Sequence, residues 1–178
     1  MSLDNVTLRA ATLDDLTGIA AIYNQLWCNT LRNRGDVEAA DFCARFNIAM
    51  QLQRSPIALV AEAEGRIIAA CCIGIFEDGK PRTNPTWESC YNEMFAQATE
   101  MAKTADAKLE GSLFGDSREK ATADRFAATG NEYAQGQLNL IIIMPEWQGK
   151  GLGRKLIDLA RAELAKAGST KFFLMSDC

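Results

Sequence analysis

The sequence contains no histidine. That absence removes Ser-His-Asp and Cys-His nucleophilic mechanisms, His-ligated metal sites and proton shuttling by imidazole. Acid–base chemistry is left to carboxylates, Tyr, Lys, Cys or water. Paired cysteine motifs are missing too. Cys28, Cys43, Cys71, Cys72, Cys90 and Cys178 include no CxxC spacing, so neither a zinc knuckle nor a thioredoxin-like motif can form. Most of them sit in apolar runs, where a reduced cysteine behaves as a small hydrophobe. Adjacent Cys71 and Cys72 are expected on opposite faces of a strand.

No apolar run approaches the ~18 residues that span a bilayer, and Met1–Ala10 lacks the basic and apolar regions of a secretory signal. Positive charge is not in excess either: 19 Lys and Arg face 23 Asp and Glu, a formal net charge of −4. The expectation is a cytoplasmic protein with reduced thiols, no metal, no membrane partner and no nucleic-acid partner. With 178 residues, 48% of them hydrophobic and 24% charged, the chain fits one globular domain over 1–178.

What is present reads as alternating strands and helices. Val6-Thr7-Leu8 is a first strand. A long amphipathic helix follows Thr12, with Leu13, Leu16, Ile19, Tyr23, Leu26, Trp27 and Leu31 at helical spacing. A second helix is expected from Asp36 to Arg54, stopped by Ser55-Pro56. Ile57–Ala63 and Arg66–Phe76 form a hairpin about a Glu64-Gly65 turn. The stretch 78–134 is polar and alanine-rich, with turn signals at Gly111, Gly115 and Gly130, and reads as a helical insertion. In it Pro85 opens a helix whose stripe runs Trp87, Tyr91, Met94, Ala98, Met101, Ala105 and Leu109, more fit for core than for a substrate pocket. Asp116 and Glu119 are expected to cap a short helix ending near Gly130. Leu138–Met144 shows no alternation, which predicts a strand buried on both faces at the sheet's centre. A helix with Leu152, Leu156, Leu159, Ala160 and Leu164 on one face follows, then a strand at Lys171–Met175 parallel to its predecessor.

Between that central strand and helix lies Gln148-Gly149-Lys150-Gly151-Leu152-Gly153-Arg154. Three glycines at a helix start cost about 1 kcal/mol each relative to Ala, which is tolerated where a backbone must approach something closely. Free N–H groups and the positive dipole end make such a place an anion cradle. The local charge agrees. Lys150, Arg154, Lys155, Arg161, Lys166 and Lys171 face only Asp158 and Glu163, a local +4 in a chain of net −4, so the remainder carries −8. A Walker loop fails because Gly151 follows Lys150. A dinucleotide fingerprint fails because Arg154 stands where its third glycine belongs.

The pattern that fits is Q/R-x-x-G-x-G/A, met by Gln148, Gly151 and Gly153, and with it the chain resembles the GNAT family of N-acetyltransferases. The run IIIMPEWQGKGLGRKLI is similar to the family's signature strand, loop and helix. VTLRAATLDDLTGIAAIYN and ALVAEAEGRIIAACCIGIF are similar to its opening strand and helix and its next two strands. The resemblance implies an α/β (α+β) fold with a mixed, largely antiparallel sheet flanked by helices. It implies acetyl-CoA as co-substrate, with the N–H groups of Gln148, Gly149, Lys150, Gly151, Leu152, Gly153 and Arg154 on the pyrophosphate. It also implies that the backbone of Ile141, Ile142 and Ile143 pairs with the pantetheine arm, beside which the sheet must splay.

The chain stops at Cys178, where the family continues with another helix and a closing hairpin that supplies a Tyr as presumed acid. This end is read as a truncation in preference to a natural short form. Glu62, Glu132 and Glu146 are candidate bases, and Glu132 with Tyr133 precedes the central strand. Each is more often a surface residue, and no catalytic residue is assigned. Cys178 has no visible base to activate it. The expected reaction moves an acetyl group from acetyl-CoA to a primary amine of a small molecule or peptide by direct attack in a ternary complex. The alternative is a catalytically silent CoA-binding or sensing module, and a homodimer through an open sheet edge is compatible with either.

Overall fold

The computed structural model describes residues 3–175. The first strand, β1 (Thr7–Ala10), leads into α1 (Leu16–Trp27), α2 (Asn29–Asn33) and α3 (Val37–Gln53). The long helix expected through Leu31 breaks at Cys28, between α1 and α2. The hairpin forms as the sequence predicts: β2 (Ile57–Ala63) and β3 (Arg66–Glu77) join through Glu64 (φ 53°) and Gly65 (φ 72°). Two successive left-handed residues match the twist of the paired strands. Asp78 and Gly79 repeat this geometry, at φ 51° and 74°, and return the chain as β4 (Lys80–Pro81).

The stretch 78–134 holds two long helices, α4 (Glu88–Ala102) and α5 (Ala107–Ala127). Three expectations fail here. The stripe from Trp87 to Leu109 is split between α4 and α5, and Asp116 caps nothing, since it lies in the middle of α5. The cap is Asp106, whose side chain accepts from the N–H groups of Lys108 and Leu109 at 3.1 and 2.9 Å. Gly111 and Gly115 read as turns, yet both are helical. Tertiary packing overrides their weak propensity, because Leu113 between them is fully buried. Trp87, Ala98 and Leu113 join α1, α3 and one face of the sheet in a single buried cluster, with Tyr91 and Met94 packed on it, so the aromatic stripe is core.

The chain then forms β5 (Gly136–Ile143), α6 (Leu152–Lys166) and β6 (Phe173–Leu174). The strand order is β1-β2-β3-β5-β6, with every pairing antiparallel except β5 with β6. The central strand is therefore β3, not β5. Leu140 and Ile142 face the α1/α3 layer and are buried, whereas Ile141 and Ile143 are only half-buried. The reason is the shortness of the neighbour: β6 pairs with β5 only at Gln137↔Phe173 and Leu138↔Leu174. Phe173 is held there by Phe76 and Phe126, ring centroids 5.9 and 4.8 Å away. Beyond Leu138 the outer edge of β5 has no strand partner among the described residues. On the opposite face, Leu152, Leu156, Ala160 and Leu164 of α6 pack against β2 and β3 in a second core.

Candidate functional site

The open edge of β5 fixes which backbone groups are available. The Met144 N–H donates to the Ile68 carbonyl on β3 at 2.9 Å. Because N–H and C=O alternate in direction along a strand, Ile142 is committed to β3, while Ile141 and Ile143 turn theirs outward. Of the three residues singled out in sequence, these two carry the exposed edge. The Ile143 carbonyl already accepts from the Gln148 side-chain amide at 2.9 Å.

Pro145 ends the ladder and opens a short turn, Pro145–Trp147, after which the glycine loop enters α6. Gly149 and Gly151 stand at φ 72° and 84°, and a Cβ on either would meet nothing within 4 Å. They are glycines for their backbone angle, beside open space. Gly153 differs: a Cβ there would lie 3.2 Å from Ile143 Cδ1, so its need is close packing of α6 on β5. No backbone N–H from Gly149 to Arg154 donates to a backbone acceptor among the described residues. The first bond of α6 runs from Lys155 N–H to the Gly151 carbonyl, 3.2 Å. Six consecutive donors at a helix N-terminus make an anion cradle. Its charges are unequally free. Lys150 folds back on the Glu146 carbonyl, 2.6 Å, with its ammonium 5.3 Å over the Trp147 ring. The Arg154 side chain is 88% exposed, with only Asp158 near, at 3.9 Å.

Beside the open edge lies a cavity of about 440 Å³. Its floor is Leu138–Ile141 of β5, and its walls are Tyr23 and Trp27 of α1, Gln51 of α3, and Asp116 and Glu119 of α5. Asp116 accepts from the Tyr23 hydroxyl at 3.1 Å and the Gln51 amide at 3.2 Å. Burial first, then the Asp116 charge, pushes the Tyr23 pKa up and keeps it a phenol. Lys120 lies beneath, 2% exposed, donating to the Asn139 carbonyl at 3.3 Å. Burial pulls its pKa down, against the pull of Glu119 and Asp116. Asn139 is the bulge residue where the β3–β5 register shifts, and such bulges re-aim a strand's groups.

The carboxylates singled out in sequence are elsewhere. Glu62 pairs with Arg9 at 2.8 Å in a network with Asp15, Glu132 pairs with Lys171, and Glu146 is exposed. Lys171 also lies 4.8 Å over the exposed Tyr133 ring. None of the four lines the cavity, and Cys178 lies outside the described residues. Tyr23, Gln51, Asp116, Glu119 and Asn139 went unnoticed as site residues. Their one sequence signal was polar residues on otherwise apolar helix faces and strands.

A search of curated proteins finds no match. Among solved structures, a GNAT family acetyltransferase from Brucella melitensis in complex with acetyl-CoA is similar at 15% identity and TM-score 0.49, covering 97% of this chain and 77% of its own. A ribosomal-protein-alanine N-acetyltransferase from Brucella melitensis biovar Abortus 2308 is similar at 16% identity and TM-score 0.45, covering 97% and 80%. A mosquito arylalkylamine N-acetyltransferase like 5b is similar at 18% identity and TM-score 0.47, covering 92% and 73%. No helix among the described residues is long and apolar enough to cross a membrane. The Acetyltransferase (GNAT) family model matches residues 19–177, which span the hairpin, the open β5 edge, the glycine loop and α6, and the chain belongs to that family.

Proposed function

We propose that the protein transfers an acetyl group from acetyl-CoA to a primary amine of a small molecule or peptide, by direct attack in a ternary complex. The observation that carries this reading is the junction of two unfilled features. Among the described residues, the unpaired edge of β5 runs directly into a loop whose six N–H groups lack backbone acceptors.

In this reading the N–H groups of Gly149–Arg154 hold the pyrophosphate, without that of Gln148, which donates to the Pro145 carbonyl at 3.2 Å, and Arg154 adds a free positive charge. Ile141 and Ile143 receive the pantetheine arm as an added strand. Gln148 must release the Ile143 carbonyl for that pairing, so its side chain acts as a stand-in for the arm. The thioester carbon then lies toward Asn139 and the cavity. The amine lone pair attacks it, a C–N bond forms, the C–S bond breaks, and the CoA thiolate leaves and takes up, directly or through water, the proton that the amine nitrogen gives up. Proximity does most of the work in such a complex.

Calorimetry with acetyl-CoA, with ATP as control, tests the reading. Micromolar binding, about −8 kcal/mol, with ATP much weaker, is expected, and thiol release with an amine panel should follow. Gly151→Glu, which puts a charge into the cradle, should abolish binding. Unchanged binding in that variant would refute this use of the loop. Binding without turnover on any amine would leave a silent CoA-binding module.

A further inference from the structure

We infer that Gln148 is an internal latch on the acetyl-CoA site: the arm of the ligand binds only by displacing the Gln148 amide from the Ile143 carbonyl. This rests on the acetyltransferase reading and adds a means of regulating that same site.

The latch is fixed by the turn that carries it. The Gln148 Nε2 reaches back five residues to donate to the Ile143 carbonyl at 2.9 Å, in a contact open to solvent and so to a ligand. Between the two residues, the Trp147 N–H donates to the Met144 carbonyl at 2.8 Å and the Gln148 N–H to the Pro145 carbonyl at 3.2 Å. Pro145 sets its own φ at the start of the turn. Trp147, 6% exposed, anchors the other end in the core that holds Leu152 and Leu156 of α6. With the backbone held, closing the latch orders only the rotamers of one side chain.

The group it covers matters. Ile143 lies opposite Ala69 of β3, yet its N–H and C=O face away from β3, on the edge that β6 leaves open after Leu138. Among the described residues, its carbonyl is the one outward group of Ile141 and Ile143 that a side chain binds. It is also the outward group nearest the glycine loop, where arm and pyrophosphate join in the ligand. A side chain reaching this carbonyl from Gln148 crosses the lane of the arm, so one occupant excludes the other. An uncovered edge invites pairing with another chain, which is a reason for the empty protein to keep this acceptor occupied.

Lys150 is fastened in the same way. Its ammonium donates to the Glu146 carbonyl at 2.6 Å and lies 5.3 Å over the Trp147 ring. Both polar side chains between Trp147 and Arg154 are thus spent on carbonyls of the chain itself, while the N–H groups of Gly149–Arg154 take no backbone acceptor among the described residues. The empty loop closes on its own acceptors and leaves its donors open. A diphosphate can therefore seat without rearrangement, whereas the arm must exchange its hydrogen bond for that of Gln148.

The test uses the whole protein. Gln148→Met keeps the length of the side chain and removes the donor. By calorimetry, acetyl-CoA should bind this variant about 3- to 10-fold more tightly than wild type, the worth of one hydrogen bond. ADP, which carries the diphosphate without the arm, should gain nothing. A second reading needs no variant fold: the isotope-labelled side-chain amide of Gln148 should move, in NMR spectra of the wild type, to the position of a free glutamine amide when acetyl-CoA is added. Equal or weaker binding of acetyl-CoA by Gln148→Met, an equal gain for ADP, or a Gln148 amide that stays hydrogen-bonded in the complex overturns the inference. Acetyl-CoA that binds both proteins alike removes the latch alone; acetyl-CoA that binds neither removes the acetyltransferase reading and the latch with it.

Discussion

The three loop glycines should separate cleanly on substitution by alanine, because they are glycine for different reasons. At Gly151 there is no steric obstacle, since a Cβ meets nothing within 4 Å, but φ is +84°. A left-handed residue with a side chain costs roughly 1–2 kcal/mol, which for a chain of this size lowers Tm by about 2–8 °C. Gly149→Ala, at φ +72°, belongs with it. At Gly153 the backbone is ordinary helix, so alanine gains about 0.8–1 kcal/mol of propensity. Against that stands one contact at 3.2 Å to Ile143 Cδ1, the movable end of a half-buried side chain. The net change should lie within about 1 kcal/mol of zero. Gly153→Leu, in contrast, must push Ile143 and with it the β5 edge, and should weaken acetyl-CoA binding as well as stability. Urea unfolding with parallel calorimetry on the four variants reads both quantities. If Gly151→Ala were neutral while Gly153→Ala cost more than about 2 kcal/mol, the assignment of strain to the cap and of packing to the helix would be reversed and the reasoning refuted.

Three more outcomes follow from single contacts. Arg154→Ala should weaken acetyl-CoA about 3- to 10-fold by calorimetry and leave Tm unmoved, because the exposed guanidinium supports no packing; a fall in Tm would show a structural role instead. Asp15 is 5% exposed and accepts from Arg9 at 2.7 and 2.8 Å and from the Thr12 N–H at 2.7 Å. These contacts, the Arg9 hydrogen bonds foremost, hold its pKa below the ordinary 3.8. A depressed carboxyl pKa contributes stability that is present above the ordinary value and is lost as pH falls through the folded one. Asp15→Asn should therefore cost about 1–3 kcal/mol at neutral pH, with the gap to wild type narrowing in urea titrations below pH 3.8. Burial pushes Cys28 up to about 11 and Cys43 and Cys71 up to about 12, and Cys72 is fully buried, whereas Cys90 is only half-buried. Iodoacetamide with peptide mapping should modify Cys90 well before these four, and equal rates under native conditions would contradict the packed core.

Local signals carried far in this chain. The hairpin was legible because Glu64-Gly65 states its own turn, and α6 because four apolar residues at helical spacing leave one face to bury. The glycine loop was legible because its cost in helix propensity has no purpose without a close approach. The errors share a cause. Asp116 carries a helix-capping signature in sequence, and Gly111 and Gly115 look like turns, but Leu113 and Ala123 bury one side of α5 and keep the helix continuous through all of them. Apolar β5 reads as central because periodicity reports on burial and not on rank in the sheet; only the two-residue pairing with β6 reveals its open edge.

The cavity was beyond reach for a further reason. Tyr23, Gln51 and Asp116 meet across sequence separations of 93 and 65 residues, and each is individually ordinary on its own helix. What brings them together is the packing of α1, α3 and α5 over β5, which leaves Asp116 with the Tyr23 hydroxyl and the Gln51 amide as its hydrogen-bond partners. A sequence shows the polar groups but not the balance between donors and acceptors, because that balance exists only once three helices and a bulged strand have been brought together. The same fold that sets the basic loop at the α6 end of the open β5 edge sets Asp116 and Glu119 beside its other end, so one edge carries opposite charge at its two ends.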